Sequence, residues 1–98
     1  PRPEDELDFD DPDARALNHC TSECLRACRV RLGVTLAARH ALPPENAFPW
    51  TASHSELLLK RFAAGEPLQA LSERLGRSEQ ALLSQLSRLL QRGLEENT

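Results

Sequence analysis

The sequence predicts an all-α protein, and three features predict it. Leucine and alanine dominate the 98 residues while aromatics make up only 4%, a bias toward good helix formers. In the second half, apolar residues recur at spacings of three and four, the repeat of one helix face. Glycines and prolines there fall between the repeats, where they punctuate helices rather than break them. The expected organisation is a disordered acidic arm over residues 1–12, an N-terminal helical segment over 13–41, a proline-rich connector over 42–49 and a three-helix unit over 50–94.

The arm follows from charge. Residues 1–13 hold seven acids against Arg2, while the rest of the chain holds 11 basic and 8 acidic side chains. Dense like charge and two early prolines leave little to bury, so residues 1–12 are expected to be a solvated linker. The alternative is an acidic arm that competes with a nucleic acid or docks on a basic partner. Asp11 or Asp13 can cap a first helix, with Pro12 in its first turn.

Residues 13–32 fit one helix. Leu17, Cys20, Cys24, Cys28 and Leu32 share a face, and Arg15, Arg26, Arg29 and Arg31 fall mostly away from it. Gly33 is the expected stop. A strand signal competes: Cys28, Val30, Leu32, Val34 and Leu36 alternate strictly. Residues 28–41 therefore stay open between helix and hairpin. Three prolines forbid regular helix over 42–49, and Phe48 and Trp50 are expected to pin against the following core.

The next stretch carries the clearest signals. Ser53 and Glu56 have capping-box spacing. Leu58, Leu59, Phe62 and Ala63 make an apolar stripe, and Gly65 stops that helix. Pro67 suits the first turn of the next, whose stripe is Leu68, Leu71 and Leu75. Gly76 ends it with a left-handed turn that glycine adopts cheaply. Ser78 caps a last helix, in which Leu82, Leu83, Leu86, Leu89 and Leu90 repeat as far as Gly93. The residues beyond are expected to fray.

A short helix, a glycine turn and a longer helix form a bend that presents the second helix to a DNA major groove. Trp50-Thr51, Glu56, Leu57-Leu58, Phe62, Gly65, Leu71, Leu75-Gly76-Arg77-Ser78, Ala81-Leu82 and Leu86 together resemble a bacterial Myb/SANT-like helix-turn-helix domain over about residues 49–92. The last part is also similar to the DNA-reading helix pair of sigma-factor region four. The resemblance implies a three-helix helix-turn-helix bundle with residues 78–91 in the recognition position. It implies double-stranded DNA as partner, with Arg77, Ser78, Glu79, Gln80, Ser84, Gln85 and Arg88 at the groove. The implied role is a regulatory or targeting module of a larger bacterial protein.

Charge and leucine content qualify that expectation. The recognition helix is basic only at Arg77, Arg88 and Arg92, whereas attraction to phosphates dominates DNA affinity. Further phosphate contacts are expected from Arg26, Arg29, Lys60 and Arg61. Leu82, Leu83, Leu86, Leu89, Leu90 and Leu94 wrap a wider arc than a three-helix core needs. Some of them are expected to pack on the N-terminal helix or on a partner chain. The rival function is accordingly a protein-interaction module or homodimer using the leucine-rich face. A third is an accessory domain of a nucleic-acid-processing enzyme.

Other chemistries find no footing. The three histidines lack partners at any catalytic spacing, and no glycine-rich phosphate loop occurs, so neither an enzyme nor a cofactor is expected. Cys20 and Cys28 would sit about 12 Å apart along a helix. One zinc holding each sulfur at about 2.3 Å does not span them. The cysteines are expected as small core residues with no metal, and their odd number argues against a disulfide framework. No apolar run suits a membrane and no signal peptide is visible, which gives a cytoplasmic expectation. The absence of methionine suggests an excised piece of a longer protein or a processed product.

Overall fold

A computed structural model describes residues 11–39 and 50–96, and their regular structure is entirely helical. Residues 1–10 of the acidic arm, residues 40–41 and the connector 42–49 lie outside the described residues. Five helices follow in order: α1 (Pro12–Asn18), α2 (Ser22–Arg39), α3 (Ala52–Ala63), α4 (Leu68–Leu75) and α5 (Glu79–Glu96).

The single helix expected over residues 13–32 is instead two. Asp11 caps α1, its Oδ1 accepting from the Ala14 amide at 3.2 Å, with Pro12 in the first turn. The chain then leaves helical geometry at His19, Cys20 and Thr21. Thr21 Oγ1 accepts from the Cys24 amide at 3.0 Å and so starts α2. A threonine hydroxyl offers the backbone an alternative to the helical ladder, which is why a new N-terminus can form there. The break frees α1 to pack on α3 and α5, while α2 packs on the same two helices separately.

Gly33 does not stop α2, which runs on to Arg39. The alternation from Cys28 to Leu36 is helical, not a strand. Cys28 and Leu32 are buried and Leu36 packs on the core, while Val30 and Val34 stand 65% and 67% exposed. Apolar residues on two sides of one helix imitate a period of two.

The capping box at Ser53 and Glu56 is also corrected. Thr51 is the cap of α3, its Oγ1 accepting from the His54 amide at 3.1 Å. The Glu56 carboxylate turns instead to Lys60 Nζ and His19 Nδ1, each at 2.8 Å. Pro67 sits one residue before α4, in extended conformation. Gly76 ends α4 at φ +67°, a conformation that glycine adopts without a Cβ penalty. Ser78 Oγ caps α5 by accepting from the Ala81 amide at 3.1 Å.

Gly93 does not end α5 either; the helix continues to Glu96. A Cβ at Gly93 would stand 3.5 Å from Leu17 Cδ2 and 3.9 Å from Leu25 Cδ1. These distances are ordinary van der Waals contact, so α5 passes close to α1 and α2 with room for a methyl group. Gly93 is a buried residue inside the helix, read as a stop.

One hydrophobic cluster draws on all five helices: Ala16 and Leu17, then Leu25, Cys28 and Leu32, then Leu58, Leu59 and Phe62, then Leu68 and Leu71, and Leu82, Leu83, Leu86, Leu89 and Leu90 of α5. Leu82, Leu83, Leu86 and Leu89 are fully buried and Leu90 nearly so. Each such leucine contributes about 1.5–3 kcal/mol relative to an exposed one. The leucine arc from Leu82 to Leu90 is thus used inside the chain, because α5 is packed by α1, α2, α3 and α4 together.

Candidate nucleic-acid interface

The candidate surface starts at the turn between α4 and α5. Gly76 turns left-handed, and the Gly76 amide donates to the Ser72 carbonyl at 2.9 Å. The Ser72 hydroxyl in turn donates to the Arg77 carbonyl. These bonds fix the turn, and the Arg77 guanidinium lies 4.2 Å from the centroid of the Trp50 ring, a cation–π contact. Leu75, Gly76, Arg77, Ser78 and Ala81 line a groove of about 470 Å³.

From the turn, the outer face of α5 runs through Gln80, Ser84 and Arg88. Gln80 and Ser84 are half-buried, and Ser78 and Arg88 are exposed. Glu79 is engaged by Arg39 from the end of α2, at 2.5 Å. This pair places an arginine of α2 beside the start of α5.

Gln85 is a correction. Expected at the groove, it is 1% exposed. Its Nε2 donates to Asp13 Oδ1 at 3.0 Å and to Ser55 Oγ at 3.1 Å. It occupies the face of α5 that α1 and α3 cover, and its amide satisfies the polar groups they bring. A three-helix reading brings only Ser55 to Gln85; Asp13 of α1 completes the cover.

Arg88 is held by the same network. Its Nη2 donates to Gln85 Oε1 at 3.0 Å, and its Nε lies 3.3 Å from Asp13 Oδ2. One turn on, Arg92 binds Asp11 through both of its terminal nitrogens. The Arg92 guanidinium lowers the Asp11 carboxyl below its ordinary range, with burial acting the other way. The basic residues in the second half of α5 are therefore met by carboxylates at the start of α1.

The four further phosphate candidates are dispersed. Arg26 is exposed on the outer side of α2, beside Val30 and Val34. Arg29 is half-buried, and its guanidinium lies 3.7 Å from where a Cβ on Gly93 would be. Lys60 is paired with Glu56, and Arg61 stands 3.7 Å from Glu66. Hydrogen bonds from Lys60 and then His19 lower the Glu56 carboxyl below its ordinary range.

Arg31 has a role that the sequence did not announce. Its Nη1 donates to the Phe62 carbonyl at 2.9 Å and the Glu66 carbonyl at 2.6 Å, and its guanidinium covers the Phe62 ring at 4.3 Å. The last carbonyls of a helix lack intrahelical donors, and Arg31 supplies them at the end of α3. The only signal was an arginine one residue from the apolar face of α2.

The three cysteines lie at the α1–α2 corner and along α2. Cys28 is buried, with Sγ 3.1 Å from the Leu59 carbonyl, while Cys20 and Cys24 are half-buried. Among the described residues no three histidine, cysteine, aspartate or glutamate side chains converge to hold a metal ion. No described helix is long and apolar enough to cross a membrane. Compared with protein-family models, curated proteins and solved structures, the chain matches none.

Proposed function

We propose that the chain is a DNA-binding module of helix-turn-helix type, with α3, α4 and α5 as its three helices and α5 as the reading helix. One observation carries this. The described leucines of α5 are buried within this chain's own core, so the face left outward is polar and runs from Arg77 through Gln80 and Ser84 to Arg88. Arginine and glutamine can contact base edges, and serine, glutamine and arginine can contact phosphates. The groove at the Gly76 turn lies at the end of this face.

The proposed binding is weak and only mildly salt-dependent. Two to three arginine–phosphate contacts correspond to a log–log salt slope of about −2 to −3. The test is an NMR titration of the labelled chain with a mixed-sequence duplex, first at low and then at physiological salt. Shifts concentrated in residues 77–92 that fade with salt are expected. Substituting Arg77→Ala together with Arg88→Ala should weaken binding and flatten the slope. Unchanged binding by the folded double variant sinks the proposal.

A protein-interaction role is the second reading, and it now rests on a different surface. Of the leucines that motivated it, Leu82, Leu83, Leu86, Leu89 and Leu90 are covered, but Val30 and Val34 are exposed on α2 beside Ala27 and Arg26. Concentration-dependent shifts on that side of α2, with none at the Gly76 turn, would favour it. Membership in a larger bacterial protein, including a nucleic-acid-processing enzyme, belongs to the same proposal and is tested by the full-length context.

A further inference from the structure

We infer that Cys20 and Cys24 form a site of reversible oxidative modification, closing to an intramolecular disulfide under a peroxide while Cys28 stays a thiol. The two sulfurs stand 3.2 Å apart. A disulfide needs about 2.05 Å, so the gap to close is about 1.2 Å by that standard.

The helix break makes this pair geometrically suitable and the neighbouring pair unsuitable. Residues four apart in a regular helix hold their Cβ atoms about 5–6 Å apart, whereas a disulfide wants about 3.5–4.5 Å. Cys24 and Cys28 both lie inside α2 and meet that obstacle. Cys20 lies before α2, in the non-helical corner after α1, so its backbone can follow its sulfur. Cys28 is also 0% exposed, and its Sγ lies closer to the Leu59 carbonyl, at 3.1 Å, than the 3.7 Å of Cys24 to the same oxygen. Cys20 and Cys24 keep partial access to solvent, enough for an oxidant as small as hydrogen peroxide.

The chemistry balances with one peroxide. The sulfur of one cysteine attacks a peroxide oxygen; an S–O bond forms, the O–O bond breaks, and hydroxide leaves with the thiol proton as water. The second sulfur attacks the resulting sulfenic sulfur; the S–S bond forms, the S–O bond breaks, and a second water leaves with the second thiol proton. Two thiols are oxidised and one peroxide is reduced to two waters. The corner also sets the rate. Burial, and then the hydrogen bond with Cys24, push the Cys20 thiol up to about 12, with Lys60 acting weakly the other way. The thiolate is the nucleophile, so this shift slows an attack led by Cys20.

The test treats the whole chain with excess hydrogen peroxide, then alkylates remaining thiols under denaturing conditions. A chain lighter by about 2 Da, the two hydrogens lost in forming the bond, with alkylation only at Cys28, is expected, and dithiothreitol should reverse it. Cys28→Ser should still form the bond, while Cys20→Ser should not, and circular dichroism would confirm that both variants are folded. A bond that includes Cys28, a disulfide-linked dimer, sulfinic acid at Cys20 without a bond, or no change of mass would each overturn the proposal.

Discussion

The side-chain amide of Gln85 donates to Asp13 Oδ1 at 3.0 Å, joining the middle of α5 to the first turn of α1 across 72 positions of sequence. Ser55 of α3 accepts from the same nitrogen and Arg88 donates to the same side chain. Three helices therefore meet at one buried amide. A buried polar group is tolerated only when its partners are present, so this network selects one docking of α1.

Asp13→Ala should expose the worth of that selection. It leaves the buried Gln85 amide short of an acceptor and removes the carboxylate beside Arg88. Stranding a buried donor costs about 1–3 kcal/mol, and each kcal/mol lowers Tm by about 4–8 °C in a domain of this size. Thermal unfolding followed by circular dichroism measures it. A loss below about 0.5 kcal/mol, the level of an ordinary surface change, would mean that the network does not hold α1.

Two glycines should respond in opposite directions. Gly76 has φ +67°, so Gly76→Ala forces a side chain into left-handed geometry at about 1–2 kcal/mol. Gly93 lies inside α5, and an added Cβ would meet its nearest neighbour at 3.5 Å, ordinary contact. Gly93→Ala should therefore be neutral or stabilise by up to about 1 kcal/mol through helix propensity. Chemical denaturation of both variants checks this, and a strongly destabilised Gly93→Ala would show that the α1–α5 approach has no room to spare.

Much of the fold was legible because local chemistry decided it. The Asp11 cap, the left-handed Gly76 and the Ser78 cap each depend on a few adjacent residues, and each lies where the sequence put it. Failures arose where a distant segment decides. Gly33 and Gly93 look like stops, but both helices run through them, α2 with Leu36 still packed on the core beyond its glycine. The break at Thr21 was hidden by cysteines and leucines whose spacing continues across it. In the candidate surface, Arg77, Ser78 and Arg88 follow from the turn and the helical repeat. Gln85 does not, because its burial depends on Asp13 and Ser55, neither close to it in sequence.

Acid should loosen α1 through Asp11. Its hydrogen bond to Arg92 lowers the carboxyl below the ordinary range, so the folded chain gives up this proton more readily than the unfolded one. The resulting stability is present in full above the unfolded value, about 3.9. It is lost as pH falls through the lower folded value. Asp11→Asn should flatten the stability profile below about pH 4, the unfolded carboxylate region, and lower stability at neutral pH. Parallel acid-unfolding curves of the two proteins make the comparison. Curves of identical shape would remove the Asp11–Arg92 pair from the acid response.

The same acidic contacts bear on the proposed DNA binding. Asp13 Oδ2 stands 3.3 Å from Arg88 Nε, so a DNA phosphate must compete with a carboxylate for that guanidinium. Asp13→Asn keeps an oxygen to accept from Gln85 but removes the charge that holds Arg88. Duplex affinity should rise, and the salt slope should steepen by at most about 0.9, the value of a full phosphate contact, as Arg88 exchanges a shared contact for a complete one. Fluorescence anisotropy over a salt series reads both quantities. A folded Asp13→Asn protein with unchanged affinity and slope would place Arg88 off the DNA-facing surface and confine any interface to the Gly76 turn.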